Sequence, residues 1–425
     1  MKILFLTDNF PPEVNAPASR TFEHTREWVK AAHDVTVITC APNFPQGKLL
    51  PGYRNKWRQR DTVEGIKLIR VWSFITANEG FLKRILDHLS FALTAFLAGL
   101  RQPADVIVAT SPQFFTTFAA FALSKLKRRP WVFEVRDIWP AAIRALGFVR
   151  HERILAWLEL IELALYRDAA MVVVVTESFK GDLVARGIDP AKIEVVTNGV
   201  DLTNFAPRPR DVALERELAL EGKFIVGYIG THGHGQKLGF IVDAAAAVTD
   251  PQVHFLFVGA GAERAEVVAK AKRLGLANMT FLETVPKEQV TRYLALSDIM
   301  LVPLRKTDIY RSVIPSKIFE AAGMERPILI GVDGEARAIV EKYGAGRYYE
   351  PEDLDSFAAA LTAIRVSGED RAVMVAGCRG LAEAYDRKRL AAKMLGLLER
   401  IAPSAAGSSD LARRPDHPAD AVDRV

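Results

Sequence analysis

At 425 residues, with 49% hydrophobic and 25% charged residues, the chain is too long for one ordinary core and suits two domains of roughly 200 residues each. A net charge of +5 and a pI near 9.0 argue against a nucleic-acid protein as such, but permit a basic patch facing anionic lipid. Two distant cysteines, Cys40 and Cys378, show no metal spacing and suit a reducing compartment; no apolar stretch reaches the ~18 residues of a spanning helix.

Lys2 to Thr7 reads as a buried strand rather than a signal peptide, because its apolar run is short. It delivers Asp8 to Pro17 into a loop. A helix from Thr21 to Ala32 and a strand from Val35 to Thr39 follow. Strand, loop, helix, strand opens a doubly wound domain whose first loop lies at the ligand crevice. In that loop Asn15 tolerates left-handed backbone better than most residues and precedes Ala16; an ordinary connection is the other reading. Pro42 to Asp61 reads as a long irregular loop, with Lys48, Arg54, Lys56, Arg58 and Arg60 set among Phe44, Tyr53 and Trp57.

Ile66 to Ser73 is the next predicted strand and Gly80 to Arg101 a helix. Its first turns carry Phe81, Leu82, Ile85 and Leu86 beside Lys83 and Arg84, and Leu89 to Leu100 is apolar nearly all round. Such a helix is either core or interfacial. Strands are predicted at Asp105–Ser111, Trp131–Asp137, Met171–Thr176 and Ile193–Val196. Asp137, opening the segment Ile138-Trp139-Pro140, would serve as a helix N-cap. Pro207, Arg208 and Pro209 read as a linker.

The second half repeats the plan. A strand from Phe224 delivers the run Gly230-Thr231-His232-Gly233-His234-Gly235-Gln236-Lys237 to a helix from about Leu238 to Val248. Glycines between strand and helix fit a phosphate-cradling turn, to which Lys237 adds charge and His232 and His234 could donate hydrogen bonds. The two histidines have no carboxylate or cysteine beside them in sequence, so no metal is expected. Val253 to Gly259 is a strand closed by a Gly-Ala-Gly turn, and a strand from Met279 to Glu283 and a helix from Pro286 to Leu296 come next.

The stretch from Ser297 to Glu335 organises this half. Ile299 to Leu304 reads as a buried strand, and a charged loop follows. Pro315-Ser316-Lys317 then starts a short helix, with Pro315 at its first position and Gly323 just past its end, and Pro327 to Gly331 is a strand. Backbone N–H groups and Lys317 at the helix start could receive phosphate. Ser316 and Glu320 share one helix face, and a carboxylate there can accept both hydrogen bonds of a ribose diol. Alternatively Glu320 pairs with Lys317 on a solvated face. Beyond it a strand at Gly344–Tyr349 and helices near Asp353–Ile364, Arg371–Tyr385 and Arg387–Ile401 are predicted, and Ala402 to Val425 is expected to be disordered.

The Pro315-to-Gly323 stretch resembles the donor-binding segment of retaining, GT-B-fold glycosyltransferases of family 4, and the resemblance covers nearly all of residues 1–400. It implies an α/β fold of two facing Rossmann-like domains: 1–205 on the acceptor side, 206–385 binding the nucleotide sugar, and 386–401 crossing back, with 402–425 as the tail. It places the donor ribose on Glu320. The family's second glutamate falls at Ser312, and its pyrophosphate-holding Arg and Lys fall at Thr231 and Gln236, so this chain departs from the common pattern. The glycines that usually approach the donor phosphate fall at Asn15 and Ala16, and the Asn198-to-Phe205 run matches the hinge.

The Pro-Ser-Lys version and the Arg-Asp-x-Trp-Pro segment resemble a bacterial subgroup of O-antigen and colanic-acid type, including N-acetylfucosaminyltransferase-like enzymes. That resemblance puts Asp137 in the cleft against sugar hydroxyls, with Arg136 beside it. It implies metal-free, cofactor-free transfer with retention, from a UDP-linked N-acetylated hexosamine or deoxyhexosamine to a polyprenyl-diphosphate-linked saccharide. Lys317 and Lys237 would stabilise the leaving diphosphate. The protein would be cytoplasmic and peripheral on the anionic inner face of the membrane. A UDP-sugar 2-epimerase of the same fold, or a non-catalytic nucleotide-sugar-binding partner, would share most of these features.

Overall fold

The structure, a computed structural model, describes residues 1–44, 46–76, 81–111, 113–138, 152–366 and 368–403. The Trp-Pro expected at 139–140, the tail from 404 and the side chains of Phe81 and Leu82 lie outside the described residues. Apolar runs bounded by loops become strands covered on both faces, as parallel sheets require. In the first domain these are β1 (Lys2–Leu6), β2 (Asp34–Cys40), β3 (Arg58–Val63), β4 (Ile66–Val71), β5 (Val106–Thr110), β6 (Trp131–Val135), β7 (Met171–Val174) and β8 (Ile193–Val195). They pair in the order β3-β4-β2-β1-β5-β6-β7-β8, and all the neighbours run parallel except β3 and β4. The second domain carries β9 (Phe224–Ile229), β10 (Val253–Val258), β11 (Met279–Leu282), β12 (Ile299–Pro303), β13 (Ile328–Gly331) and β14 (Gly346–Tyr348). Their order is β11-β10-β9-β12-β13-β14, all parallel.

Side-chain alternation along β1 assigns the two faces of the first sheet. Leu4 and Leu6 pack with Phe91, Phe114, Phe133 and Tyr166 on one side. Ile3 and Phe5 pack with Trp28, Leu390 and Met394 on the other. The last two belong to the helix Arg387–Ile401, so the chain's final described helix lies on the first domain, where Ala391 O accepts from Trp28 Nε1 at 2.9 Å. Arg387 ties this return down, with Nε donating to Gly199 O at 2.8 Å and Nη1 pairing with Glu23.

Two sequence expectations are corrected, and one left open is narrowed. Arg58 to Asp61 is not loop but the start of β3, an edge strand pairing antiparallel with β4. The signal was present in Glu64-Gly65, whose positive φ values of 46° and 81° make a two-residue hairpin turn. The first helix runs Ala16–Lys30, starting ahead of Thr21, because Asn15 caps it and Pro17 sits in its first turn. The helix Phe81–Leu100 is not a plain core helix. Leu86, Leu89, Leu93, Leu97 and Leu100 are 47%, 43%, 59%, 42% and 41% exposed and recur at three- and four-residue steps, forming one apolar stripe on its outer face. No helix among the described residues is long and apolar enough to cross a membrane.

The order in which strands are added reverses between β1 and β5 in one sheet and between β9 and β12 in the other, and these switch points open crevices at the carboxyl ends of the strands. The two carboxyl ends meet. Glu335, just after β13, accepts hydrogen bonds from Glu177 and Ser178, just after β7.

Candidate functional site

In the second domain β9 runs into Gly230, whose φ of +140° is a glycine conformation. A Cβ at that position would lie 2.4 Å from Lys317 Cε and 2.8 Å from Nζ, so Lys317 lies directly over the turn. Its amine donates to Tyr228 Oη at 3.1 Å and stands 4.6 Å from the centre of that ring. Burial pulls Lys317 down to about 8, because water is withdrawn from the ammonium. Gly259 and Gly261, read from the sequence as a tight connection, have a further role. A Cβ on either would strike Gly230 O at 2.1 Å or His232 O at 2.4 Å, so both glycines let the turn after β10 pack against the Gly230 loop.

Lys317 is the first residue of the helix Lys317–Gly323, with Ser316 at its cap position. Pro315 therefore precedes the helix rather than starting it, and Gly323 is its last residue rather than the one beyond. Phe205 O would lie 2.8 Å from a Cβ on Gly323, so close approach to the interdomain segment explains that glycine. One turn along, the half-buried carboxylate of Glu320 makes no ion pair or hydrogen bond with any described residue. The alternative pairing with Lys317 is not formed. Burial raises the Glu320 pKa, opposed at range by Arg387, Lys317 and Lys287. Ser316 O accepts from Glu320 N at 3.2 Å, and Ser312 ends a short 3-10 turn, with Oγ donating to Ile309 O at 3.2 Å.

The remaining residues of the Gly230 loop are placed less simply. Thr231 is exposed, and its carbonyl accepts from Tyr228 Oη. His232 does not act as expected. Its ring is wholly buried between Tyr228 and Phe257, both nitrogens lack partners, and desolvation lowers its pKa to about 4. In this arrangement the imidazole offers no hydrogen bond to the crevice. His234 stands outside, and the fold supplies the carboxylate that sequence neighbours lacked, Glu263 at 2.7 Å. Gln236 Oε1 accepts from Gly233 N at 3.1 Å, folding the loop on itself. Lys237, in left-handed backbone at φ 49°, has its amine 3.8 Å from Glu352. Among the described residues no group of three or more His, Cys, Asp or Glu side chains is placed to hold a metal.

In the first domain Asn15 is not left-handed. Its φ and ψ of −134° and 164° are extended, and Oδ1 caps the helix by accepting from Ala18 N at 2.8 Å. Nδ2 reaches back to Asn9 Oδ1 at 2.5 Å, drawing the loop after β1 closed, while Ala16 begins the helix on an exposed face. Asp137 is exposed just past β6, its backbone N–H held by Ser111 Oγ at 3.3 Å. The sequence marks Arg136 only as the neighbour of Asp137. In the fold its Nη1 is buried without a partner.

Two facing parallel-sheet domains meet at their strand ends, and a glycine turn lies under a half-buried lysine in the second. The chain is a glycosyltransferase of the GT-B fold. Residues 16–199 match the family described as Glycosyl transferase 4-like domain, and residues 223–365 match Glycosyl transferases group 1. Among curated proteins it is similar to WcaI of Escherichia coli (strain K12), named for colanic acid biosynthesis, with 26% identity over 374 residues, 85% of this chain and 91% of WcaI. TuaH of Bacillus subtilis (strain 168), named for teichuronic acid biosynthesis, is 28% identical over 171 residues, 40% of this chain and 41% of TuaH. Among solved structures, sucrose-phosphate synthase from Thermosynechococcus elongatus superposes with a TM-score of 0.74 at 16% identity, over 94% of this chain and 98% of that one. HepE of Anabaena in complex with UDP-glucose gives 0.67 at 17% identity, over 94% and 100%.

Proposed function

We propose that the protein transfers a sugar, an N-acetylated hexosamine or deoxyhexosamine, from a UDP-linked donor to a polyprenyl-diphosphate-linked saccharide, with retention of anomeric configuration. The observation that carries this reading is the pairing of roles on one helix turn. Lys317 lies over the Gly230 turn at the second switch point, where a diphosphate would be received, and Glu320 keeps an unpaired carboxylate one turn away. A ribose diol would satisfy both oxygens of that carboxylate and relieve its desolvation. Asp137, exposed on the facing domain, would contact sugar hydroxyls. The bond from the anomeric carbon to the diphosphate breaks as the acceptor oxygen bonds to that carbon. The acceptor proton passes to the leaving diphosphate, whose charge Lys317 stabilises. The UDP-glucose held by HepE and the polysaccharide names of WcaI and TuaH support the donor and the biosynthetic setting.

The acceptor's lipid places the protein peripherally on the anionic inner face of the membrane. The leucine stripe of Phe81–Leu100 supports this, as does the grouping of Arg58 with Arg60 and Arg101: burial chiefly, and then these two charges, disfavour the charge on Arg58. The test is a panel of nucleotide sugars scored by thermal stabilisation, followed by NMR of the anomeric configuration of the product. Stabilisation by no nucleotide sugar would overturn the reading, and an inverted product would overturn retention.

A further inference from the structure

Arg136 follows β6 and, two residues beyond Glu134, projects from the same face of the strand. That face carries the helix Ala16–Lys30, and Arg20 of this helix takes the charge of Glu134 at 2.9 Å, both side chains being buried. Glu134 Oε1 is thus engaged by Arg20, while Oε2 is buried without a hydrogen-bond partner and feels the charge of Arg136 at range. The backbone N–H of Arg136 is fixed by Ser111 Oγ at 2.8 Å, so the ends of β5 and β6 hold the residue at the crevice. Its guanidinium is not matched in the same way. Nη1 is buried without a hydrogen-bond partner, and no described carboxylate lies within ion-pair distance; Glu134 first, then Asp137 and Asp8, act on it only at longer range, and Arg20 opposes them. Desolvation lowers Arg136 to about 10, which leaves it charged at neutral pH. A partly buried guanidinium whose Nη1 has no acceptor is costly unless an anion completes it.

The second domain is short of positive charge. Positions Thr231 and Gln236 are neutral, His232 is buried and uncharged, and Lys237 lies by Glu352. Arg264, whose charge reaches His232, is held by Gly259 O and paired with Glu283, so Lys317 is the cation among these residues that lies directly over the Gly230 turn. A nucleoside diphosphate leaving its sugar gains a third negative charge, because the electron pair of the broken bond stays on the phosphate oxygen. A single lysine matches that poorly.

We propose that Arg136 is the second cation of the donor diphosphate, supplied across the crevice by the first domain. This rests on the nucleotide-sugar reading above. Arg136 keeps its proton throughout; it neutralises the leaving oxygen while the acceptor oxygen bonds to the anomeric carbon and the acceptor proton goes to the diphosphate. Placing one cation on each domain makes full stabilisation conditional on the domains being closed, so donor is held most strongly only when the crevice is shut.

The test is calorimetric binding of UDP and of uridine to the full chain, in wild type, Arg136→Gln and Arg136→Lys. Arg136→Gln should weaken UDP about ten- to a hundredfold and leave uridine unchanged, with Arg136→Lys between. UDP affinity within twofold of wild type in Arg136→Gln would overturn the proposal, even where acceptor KM rises. An equal loss for uridine and UDP would also overturn it, marking a structural role. If wild type binds neither UDP nor GDP nor dTDP, the nucleotide-sugar reading itself fails, a result distinct from either.

Discussion

The carboxylate of Glu335 in the second domain and the start of the helix at Ser178 in the first are joined directly, with Oε2 accepting from Ser178 N at 2.9 Å and from Ser178 Oγ at 2.7 Å. Oε1 takes Glu177 N at 2.8 Å, so one side chain receives three donors across the domain boundary. The contact closes the orphan N–H groups of the helix Glu177–Ala185 with a negative charge where the helix dipole favours it. Glu335→Ala should loosen the closed arrangement by about 1–3 kcal/mol. Small-angle scattering is expected to show a larger radius of gyration for the variant, and kcat should fall more than nucleotide affinity. An unchanged scattering profile and kcat would show that the contact does not hold the domains.

Gly230→Ala tests the seat of Lys317. The new methyl group meets Lys317 Cε at 2.4 Å and forces a positive φ on alanine, which together cost on the order of 1–3 kcal/mol. The amine must move off the turn. UDP binding should weaken at least tenfold with the fold retained by circular dichroism; unchanged binding would separate Lys317 from the diphosphate.

Proton uptake on binding follows from the Lys317 pKa. Burial holds it near 8 in the free protein, below the unfolded value of 10.5, so the folded state binds fewer protons between those two pH values and that lysine's contribution to stability improves as pH rises through the interval. Diphosphate has the opposite preference, because it requires the ammonium. UDP affinity should therefore fall as pH rises above about 8. Calorimetry in buffers of different ionisation enthalpy should detect more proton uptake on binding near pH 9 than near pH 7. Equal uptake at both would mean that Lys317 does not titrate with the ligand.

Glu320→Ala should weaken donor binding by roughly 1.5–3 kcal/mol, the range for hydrogen bonds to a charged group. Because Glu320 has no partner among the described residues, its removal leaves no other group unsatisfied, and the thermal midpoint should hold or rise. Unaltered nucleotide affinity in that variant would return Glu320 to a passive role.

Much of this was legible because apolar runs, glycine turns and caps are local signals. The strands from Lys2, Phe224 and Ile299 each announce a crevice loop, and the loops at Asp8 and Gly230 fall at the two switch points. What stayed hidden depends on contacts between distant segments. The reach of Lys317 over Gly230, the closing of Glu335 on Ser178 and the pairing of Arg20 with Glu134 join residues separated by more than eighty positions. His232 misled for the same reason. A histidine in a glycine loop suggests a donor, but Phe257 from the next strand and Tyr228 bury its ring. β3 was missed because its charged, exposed sequence suits an edge strand and carries little hydrophobic signal.

Docking on lipid would have two separable parts. The stripe Leu89, Leu93 and Leu97 offers apolar burial, while Arg58, Arg60 and Arg101 offer attraction that salt screens. Tyr53 is less available than its sequence position suggested, since Arg70 lies over its ring at 5.2 Å. Trp57, 66% exposed and stacked on Trp72 at 6.4 Å, is free to sit at headgroup depth. Wild-type protein should sediment with vesicles containing phosphatidylserine, and about 0.5 M salt should release a substantial part of it. Replacing Leu89, Leu93 and Leu97 with Ser should abolish the salt-resistant fraction, and replacing Arg58, Arg60 and Arg101 with Ser should abolish the salt-sensitive one. Neither set touches the Gly230 turn, so UDP affinity should be unchanged in both. Protein that stays in the supernatant at low salt would show that this face does not dock on lipid.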